Sequence, residues 1–406
     1  MATNFNIVKK KKQDEDEEDL LDEEEIEEEE SSKKSMDNSV KKRMLLFMGI
    51  IFIGFILLML ILYLVSIFFH RSYSYDDIEL VLKNAAVSYF KDYADYLPVD
   101  DGDVVEVDSS NLVAAGKMKD LSEYTKEGIL CTGTVQVEKS GSDYLYSPYL
   151  NCGDNYTTIE LAKKIINEEG NVVTSGYGLY SMNGSYIYRG ENVNNYVQLG
   201  KQVWRIVKIT SDENVVLIHD KGVLYNPQPW DDRYNETSSY ASGFNNYGSS
   251  RIKEYLEKIY KNPVDEEVLL EKDDFSKLVS FNLCIGKRSP ISEGNSNQEE
   301  CAEVLPDQKY GLLTVSDYMA ASVDASCKSS TSKSCVNYNY LSKVKNWWLV
   351  TGNKDDSISV FKVNNTGVIV SDTAANYGNV RPIIYLNKKI LYKSGTGTLD
   401  DPYIVK

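Results

Sequence analysis

Met44 to Phe69 reads MLLFMGIIFIGFILLMLILYLVSIFF, twenty-six residues without a charged side chain. A helix rises about 1.5 Å per residue, so the run reaches roughly 39 Å and crosses a hydrocarbon core of about 30 Å with some tilt. A buried helix of a soluble domain carries a polar stripe, and this run has none. A cleaved signal peptide has an apolar region of about 7–15 residues followed by a small-x-small cleavage site. Here the run is longer and ends in Ile67-Phe68-Phe69-His70-Arg71, and no cysteine follows closely enough to suggest a lipoprotein. The expectation is an uncleaved signal anchor, a single transmembrane helix over 44–69.

The flanks of the span set its direction. Lys33, Lys34, Lys41, Lys42 and Arg43 precede it, and only Arg71 and Lys83 follow within fifteen residues. The Lys/Arg excess stays on the cytoplasmic side, which predicts a cytoplasmic N-terminus and an extracellular C-terminal part at the plasma membrane. Residues 1–43 then form a cytoplasmic tail. Asp14 to Glu30 carries fourteen carboxylates in seventeen positions, broken by Leu20, Leu21 and Ile26. Such a run repels itself and buries too little apolar area to offset chain entropy, so the tail is expected to be disordered. A basic cytoplasmic partner would suit it, and nothing in the sequence identifies one.

Composition narrows the function classes. The chain has 406 residues, 44 Lys+Arg against 61 Asp+Glu, and a net charge of −17. That length allows two or three domains, and that charge repels phosphate backbones, which argues against nucleic acid as a partner. His70 and His219 are the only histidines. A His-rich metal site and a Ser-His-Asp arrangement are therefore not expected, and no metal or cofactor is predicted.

Cys131, Cys152, Cys284, Cys301, Cys327 and Cys335 all lie on the outer side of the proposed span, with no C-x-x-C among them. Six cysteines allow fifteen pairings. Local geometry favours joining each to the next: Cys131–Cys152, Cys284–Cys301 and Cys327–Cys335. The first pair is the best supported. The stretches 129–138 and 144–150 read as strands around the turn Ser140-Gly141-Ser142-Asp143, and the two cysteines are equally distant from it.

The outer part reads as α+β. A helix is expected over Asp76 to Tyr93, with Ile78, Leu82, Ala85, Ala86 and Tyr89 on one face. With the hairpin it makes a small α+β module over 72–156. A span leading to a helix and then strands is similar to a pilin, but the span starts at residue 44 with no acidic residue near its start. Thr157 to Glu169 is expected as a connecting helix (157–170), with a Thr157/Glu160 capping box and Gly170 closing it. From 171 to 406, short strands recur at 186–188, 196–199, 202–210, 214–219, 312–315, 358–363, 368–371, 380–386 and 403–405. Helices are expected at 250–260 and 316–321.

Several runs occur in a characteristic order: YIYRGENVNNYVQLGKQVWRIVKI at 186–209, GLLTVSDYMAAS at 311–322, NWWLVTG at 346–352, NVRPIIYL at 379–386 and SGTGTLDDPYIV at 394–405. Together they resemble an uncharacterised family of surface-domain proteins of low-GC Gram-positive bacteria and their mollicute relatives. The WWL…G…VRP…L pattern is similar to that of the C-type-lectin-like group, which includes the formylglycine-generating type. LNCGDNYTT at 150–158 extends the resemblance upstream, so that it covers roughly 130–406. It implies a C-type-lectin-like mixed α+β domain at the cell surface and supplies no catalytic residues. The lectin calcium motifs that pair Glu or Gln with Pro and Asn/Asp have no counterpart here. Trp347, Trp348, Arg381 and Pro382 are the signature residues, with the tryptophans expected in the core and Arg381 on buried carbonyls or a carboxylate.

The segment from Leu224 to Ser249 has no clear period. Its Tyr225, Trp230, Asp231, Asp232, Arg233, Tyr234 and Asn235 combine rings, carboxylates and an amide as a sugar-stacking or protein-anchoring face would. Ser250-x-x-Lys253 matches the S-x-x-K pattern of penicillin-interactive enzymes, but K-T-G and S-D-N are missing, so Ser250 reads as a helix start. His219 ends a strand and reads as structural. The expected function is a non-catalytic surface protein binding a glycan or protein ligand. The alternatives are an envelope or secretion-complex scaffold, a formylglycine-generating-type oxidase, which needs free thiols, and a wall hydrolase, for which no activated nucleophile can be assembled.

Overall fold

A computed structural model of the chain describes residues 23–69, 73–126, 128–236, 242–261, 270–294 and 296–406. The chain divides into two compact units, 1–72 and 73–406. In the first, α1 (Glu23–Phe69) is one continuous helix. Among the described residues it is the one helix long and apolar enough to cross a membrane, and its side chains from Met44 to Tyr63 are exposed. Of the tail expected to be disordered, Glu23 to Arg43 belongs to this helix, and 1–22 lies outside the described residues. Glutamate is a good helix former, and carboxylates at a helix N-terminus favour its dipole, so the downstream helix extends into the acidic run.

The second unit opens with α2 (Tyr75–Asp92), β1 (Val104–Asp108), the short α3 (Ser109–Ala114), β2 (Thr132–Ser140) and β3 (Asp143–Asn151). The strands form an antiparallel sheet in the order β1-β2-β3. Ile78, Leu82, Ala85, Ala86 and Phe90 of α2 pack on Val107, Val135, Val137 and Leu150. Gly133 is required there, because a Cβ would stand 2.9 Å from both methyls of Leu82. Thr132 pairs Asn151 and Ser140 pairs Asp143, leaving a two-residue loop, Gly141-Ser142. That register sets Cys131 opposite Cys152, and they are joined. The Cys284–Cys301 and Cys327–Cys335 disulfides are also formed, and no cysteine is free.

The rest of the unit is a larger mixed α+β core. After α4 (Leu161–Asn167) come β4 (Gly178–Met182), β5 (Ser185–Arg189), β6 (Tyr196–Leu199), β7 (Gln202–Ile209), β8 (Val215–His219) and β9 (Val223–Pro229). Then follow α5 (Arg251–Lys261), β10 (Phe281–Cys284), β11 (Lys287–Arg288), β12 (Val304–Gln308) and α6 (Val315–Ala320). The chain closes with β13 (Trp347–Asn353), β14 (Ser359–Val363), β15 (Ile369–Thr373), β16 (Tyr377–Val380), β17 (Ile383–Leu386), β18 (Tyr392–Ser394) and β19 (Tyr403–Val405). One sheet runs β17-β8-β7-β6-β19-β18, with the β4–β5 hairpin attached through β5 to β7. A second runs β15-β14-β13-β16-β9, with β11 beside β13. β10 and β12 pair separately.

Three expectations change. The connecting helix is shorter, because Thr157 bridges Asn151 and Glu160 makes no cap hydrogen bond; its carboxylate accepts from the Tyr149 hydroxyl (3.0 Å) and Lys163 (3.3 Å) instead. Leu312 to Val315 is not a strand: Thr314 and Asp317 form a capping box that starts α6 at Val315. The single strand expected over 380–386 is two strands in different sheets, broken at Arg381-Pro382.

Candidate ligand-binding cleft

The two cores meet beside an open cleft of about 570 Å³. The first half of α2, the edge strand β3, the turn around 273–277, the segment 389–393 and Lys406 surround it. Its position follows from local rules. Ser74 caps α2, accepting from the Asp77 N–H (3.1 Å), while the Asp77 carboxylate accepts from the Ser74 N–H (3.0 Å). Asp76, Glu79, Leu80 and Lys83 then stand at i, i+3, i+4 and i+7, on one helical face. Pro148 sits mid-strand in β3, which an edge strand tolerates. Leu145, Pro148, Ile390 and Leu391 line the cleft as buried apolar side chains, and Leu80 is 54% exposed there.

The charged lining divides into paired and unpaired groups. Lys406 forms ion pairs with Asp76 (2.7 Å) and Glu79, and its ammonium donates to the Tyr156 hydroxyl (3.1 Å). Glu79 is buried and also accepts from Tyr156 (2.7 Å) and Thr158. Burial opposes the Lys406 charge, and its bonds to Asp76, Glu79 and Tyr156 overcome that and hold the ammonium above its ordinary range. Lys277 pairs with Asp274 at 3.0 Å. Lys83 is half-buried with no ion pair; burial and then the nearby Lys277 push its amine down, against a smaller pull from Asp273. Among the described residues, the Lys389 ammonium stands 5.9 Å from the Tyr149 ring, Lys393 is exposed, and neither forms an ion pair. Among the described residues, Lys83, Lys389 and Lys393 thus bring three ammonium groups without an ion pair to one cleft, with Asp273 opposing part of the Lys83 charge. His219 does not line it.

The residues of the 224–249 stretch are placed differently from expectation. Val223 to Pro229 is strand β9, not loop; Tyr225 lies in it, its side chain outside the described residues, and Tyr240 lies outside them altogether. Trp230 is fully buried, its indole N–H donating to the Leu349 carbonyl at 3.0 Å, so its ring cannot stack on a ligand. Asp231 is fully buried in a two-point ion pair with Arg233 (2.6 and 2.9 Å). Asn235 is fully buried, its amide donating to the Gly243 carbonyl at 2.7 Å. Of the candidate residues whose side chains are described, Asp232, Tyr234 and part of Arg233 remain at the surface. Sequence cannot separate a ring held in a core from one offered to a ligand when both sit in an aperiodic stretch.

The signature residues gather where strands pass between sheets. β8 leads into β9 and β16 into β17, and both connections cross at the same corner. There the Arg381 guanidinium donates to the carbonyls of His219 (3.0 Å) and Leu341 (3.4 Å) and lies 5.0 Å from the Trp347 ring. Burial lowers its pKa to about 10. The His219 N–H donates to the Pro382 carbonyl (3.0 Å), and its ring Nδ1 accepts from the Gly222 N–H (2.8 Å). Burial, then the neighbouring Arg381 charge, push the His219 pKa down to about 4. Trp348 reaches past β16 to donate to the Gln228 carbonyl (2.9 Å), and Gly378 leaves room, since a Cβ there would lie 2.7 Å from the indole nitrogen. Ser250 donates to the Tyr247 carbonyl and Lys253 pairs with Glu257, so the S-x-x-K residues are a helix start and a surface ion pair.

The cleft escaped the sequence reading because its walls come from five separate stretches. The Asp76/Glu79/Leu80/Lys83 spacing is its one local trace. Comparisons with family models, with curated proteins and with solved structures found no match to this chain.

Proposed function

We propose that the chain is a plasma-membrane protein anchored by α1, with residues 73–406 outside the cell as a non-catalytic ligand-binding domain. The observation that carries this reading is that all six cysteines follow the apolar helix and all six are paired. Disulfides of this kind persist in oxidising surroundings and not in a reducing cytosol. The Lys/Arg excess before the span supports the same direction. The paired cysteines also leave no free thiol for an oxidase of the formylglycine-generating type. A C-type-lectin-like fold belongs to the proposal; it rests on the order of the sequence motifs, and the Trp347, Trp348, Arg381 and Pro382 that carry them pack around one corner between two sheets. The ligand face moves from the 224–249 stretch to the cleft between α2, β3 and 389–393. Trypsin added to intact cells should release peptides from 73–406 and none from 1–43. Release of tail peptides alone would reverse the topology.

A further inference from the structure

Building on the ligand-binding reading of residues 73–406, we infer that the cleft between α2, β3 and the 389–393 segment takes an anionic amphiphile, a phosphate ester with an apolar stem. The whole chain is strongly acidic, at −17, yet Lys83, Lys389 and Lys393 turn three ammonium groups without ion pairs toward one cavity. The carboxylates on the same lining are largely spent internally. Asp76 and Glu79 answer Lys406, and Asp77 closes the α2 cap. Asp273 acts on Lys83, and the lining as a whole holds five lysines against four carboxylates.

Lys83 is the informative group. A half-buried ammonium without an ion pair has given up hydration and gains only a weak pull from Asp273, a deficit that a bound anion would fill. Lysines act on anions as compact point charges, and a phosphate has enough oxygens to be shared among three of them. The apolar part follows from Leu80, Ile390 and Leu391. Leu80 is 54% exposed on the helical face that carries Lys83, and the other two form buried wall beside Lys389 and Lys393. A volume near 570 Å³ falls within the range of about 300–1,000 Å³ usual for small-molecule sites.

The test uses the full chain in phosphatidylcholine nanodiscs and follows the acetylation rate of each lysine by mass spectrometry. Hexyl phosphate should slow Lys83, Lys389 and Lys393 together by about tenfold, leaving the exposed Lys221 and Lys328 unchanged. Inorganic phosphate should protect more weakly and hexanol not at all. Replacing part of the phosphatidylcholine with phosphatidic acid separates the sources: protection there supports a bilayer lipid, and protection by hexyl phosphate alone supports a soluble ester. No protection of the three lysines by either, or equal slowing of Lys221, overturns the proposal. Equal protection by inorganic phosphate overturns the apolar stem. Lys83→Met should raise the half-saturating concentration about tenfold. Lys393→Met, at an exposed position, provides the same check should the first variant misfold. Because the protein is purified, these results do not depend on which side of the membrane the domain occupies. Failure here therefore leaves the cell-based topology result standing, and the reverse also holds.

Discussion

His219 and Trp230 show how much single side chains contribute when several strands share them. His219 stays neutral in the fold, with a pKa near 4, and gains a proton readily once unfolded, near 6.5. The unfolded chain therefore binds more protons between those values. The stabilisation is complete above about pH 6.5, falls as pH drops toward 4, and is on the order of 3 kcal/mol. Urea midpoints measured at pH 7.5 and 4.5 should differ accordingly, and His219→Gln should flatten most of the difference; an unchanged pH slope in that variant would place the effect elsewhere. Trp230→Ala empties a fully buried site and should cost about 3–5 kcal/mol. Tyr234→Ala, at 73% exposure, should stay within about 0.5 kcal/mol. Equal, small effects from both in thermal melts would mean the tryptophan is not in the core. Tryptophan is legible in sequence as a ring that is used; burial against the Leu349 carbonyl 119 positions away is not.

At the scale of elements, local signals were readable and shared ones were not. The Cys131/Cys152 hairpin could be read because turn, register and cysteine spacing all lie within some twenty residues. The strand expected over 380–386 is two strands in space, because Pro382 and the buried Arg381 act at a corner built with Gly222 and His219. Thr157-x-x-Glu160 has the spacing of a capping box, and Tyr149 and Lys163 take the glutamate instead. Two predictions belong here. Replacing Cys131 and Cys152 together by serine reopens a 21-residue separation and should cost about 3 kcal/mol, read as a lower denaturant midpoint with a steeper slope as the unfolded chain expands. Lys406→Ala leaves the buried Glu79 carboxylate without its cation and should destabilise by on the order of 3 kcal/mol. A loss under 0.5 kcal/mol would show that Tyr156 and Thr158 suffice to hold Glu79.

For the whole molecule, the apolar helix and the distribution of cysteines were plain in the sequence because each is a property of composition along the chain. The cleft was not, since Lys83, Lys277, Lys389 and Lys406 converge only after two cores pack side by side. The proposed role depends on that second unit lying in an oxidising exterior. Intact cells treated with a membrane-impermeant maleimide, before and after an impermeant reductant, test this most directly. The account predicts no labelling at first and labelling of all six cysteines after reduction. Cysteines that react only once the cells are lysed, with or without reductant, would contradict it.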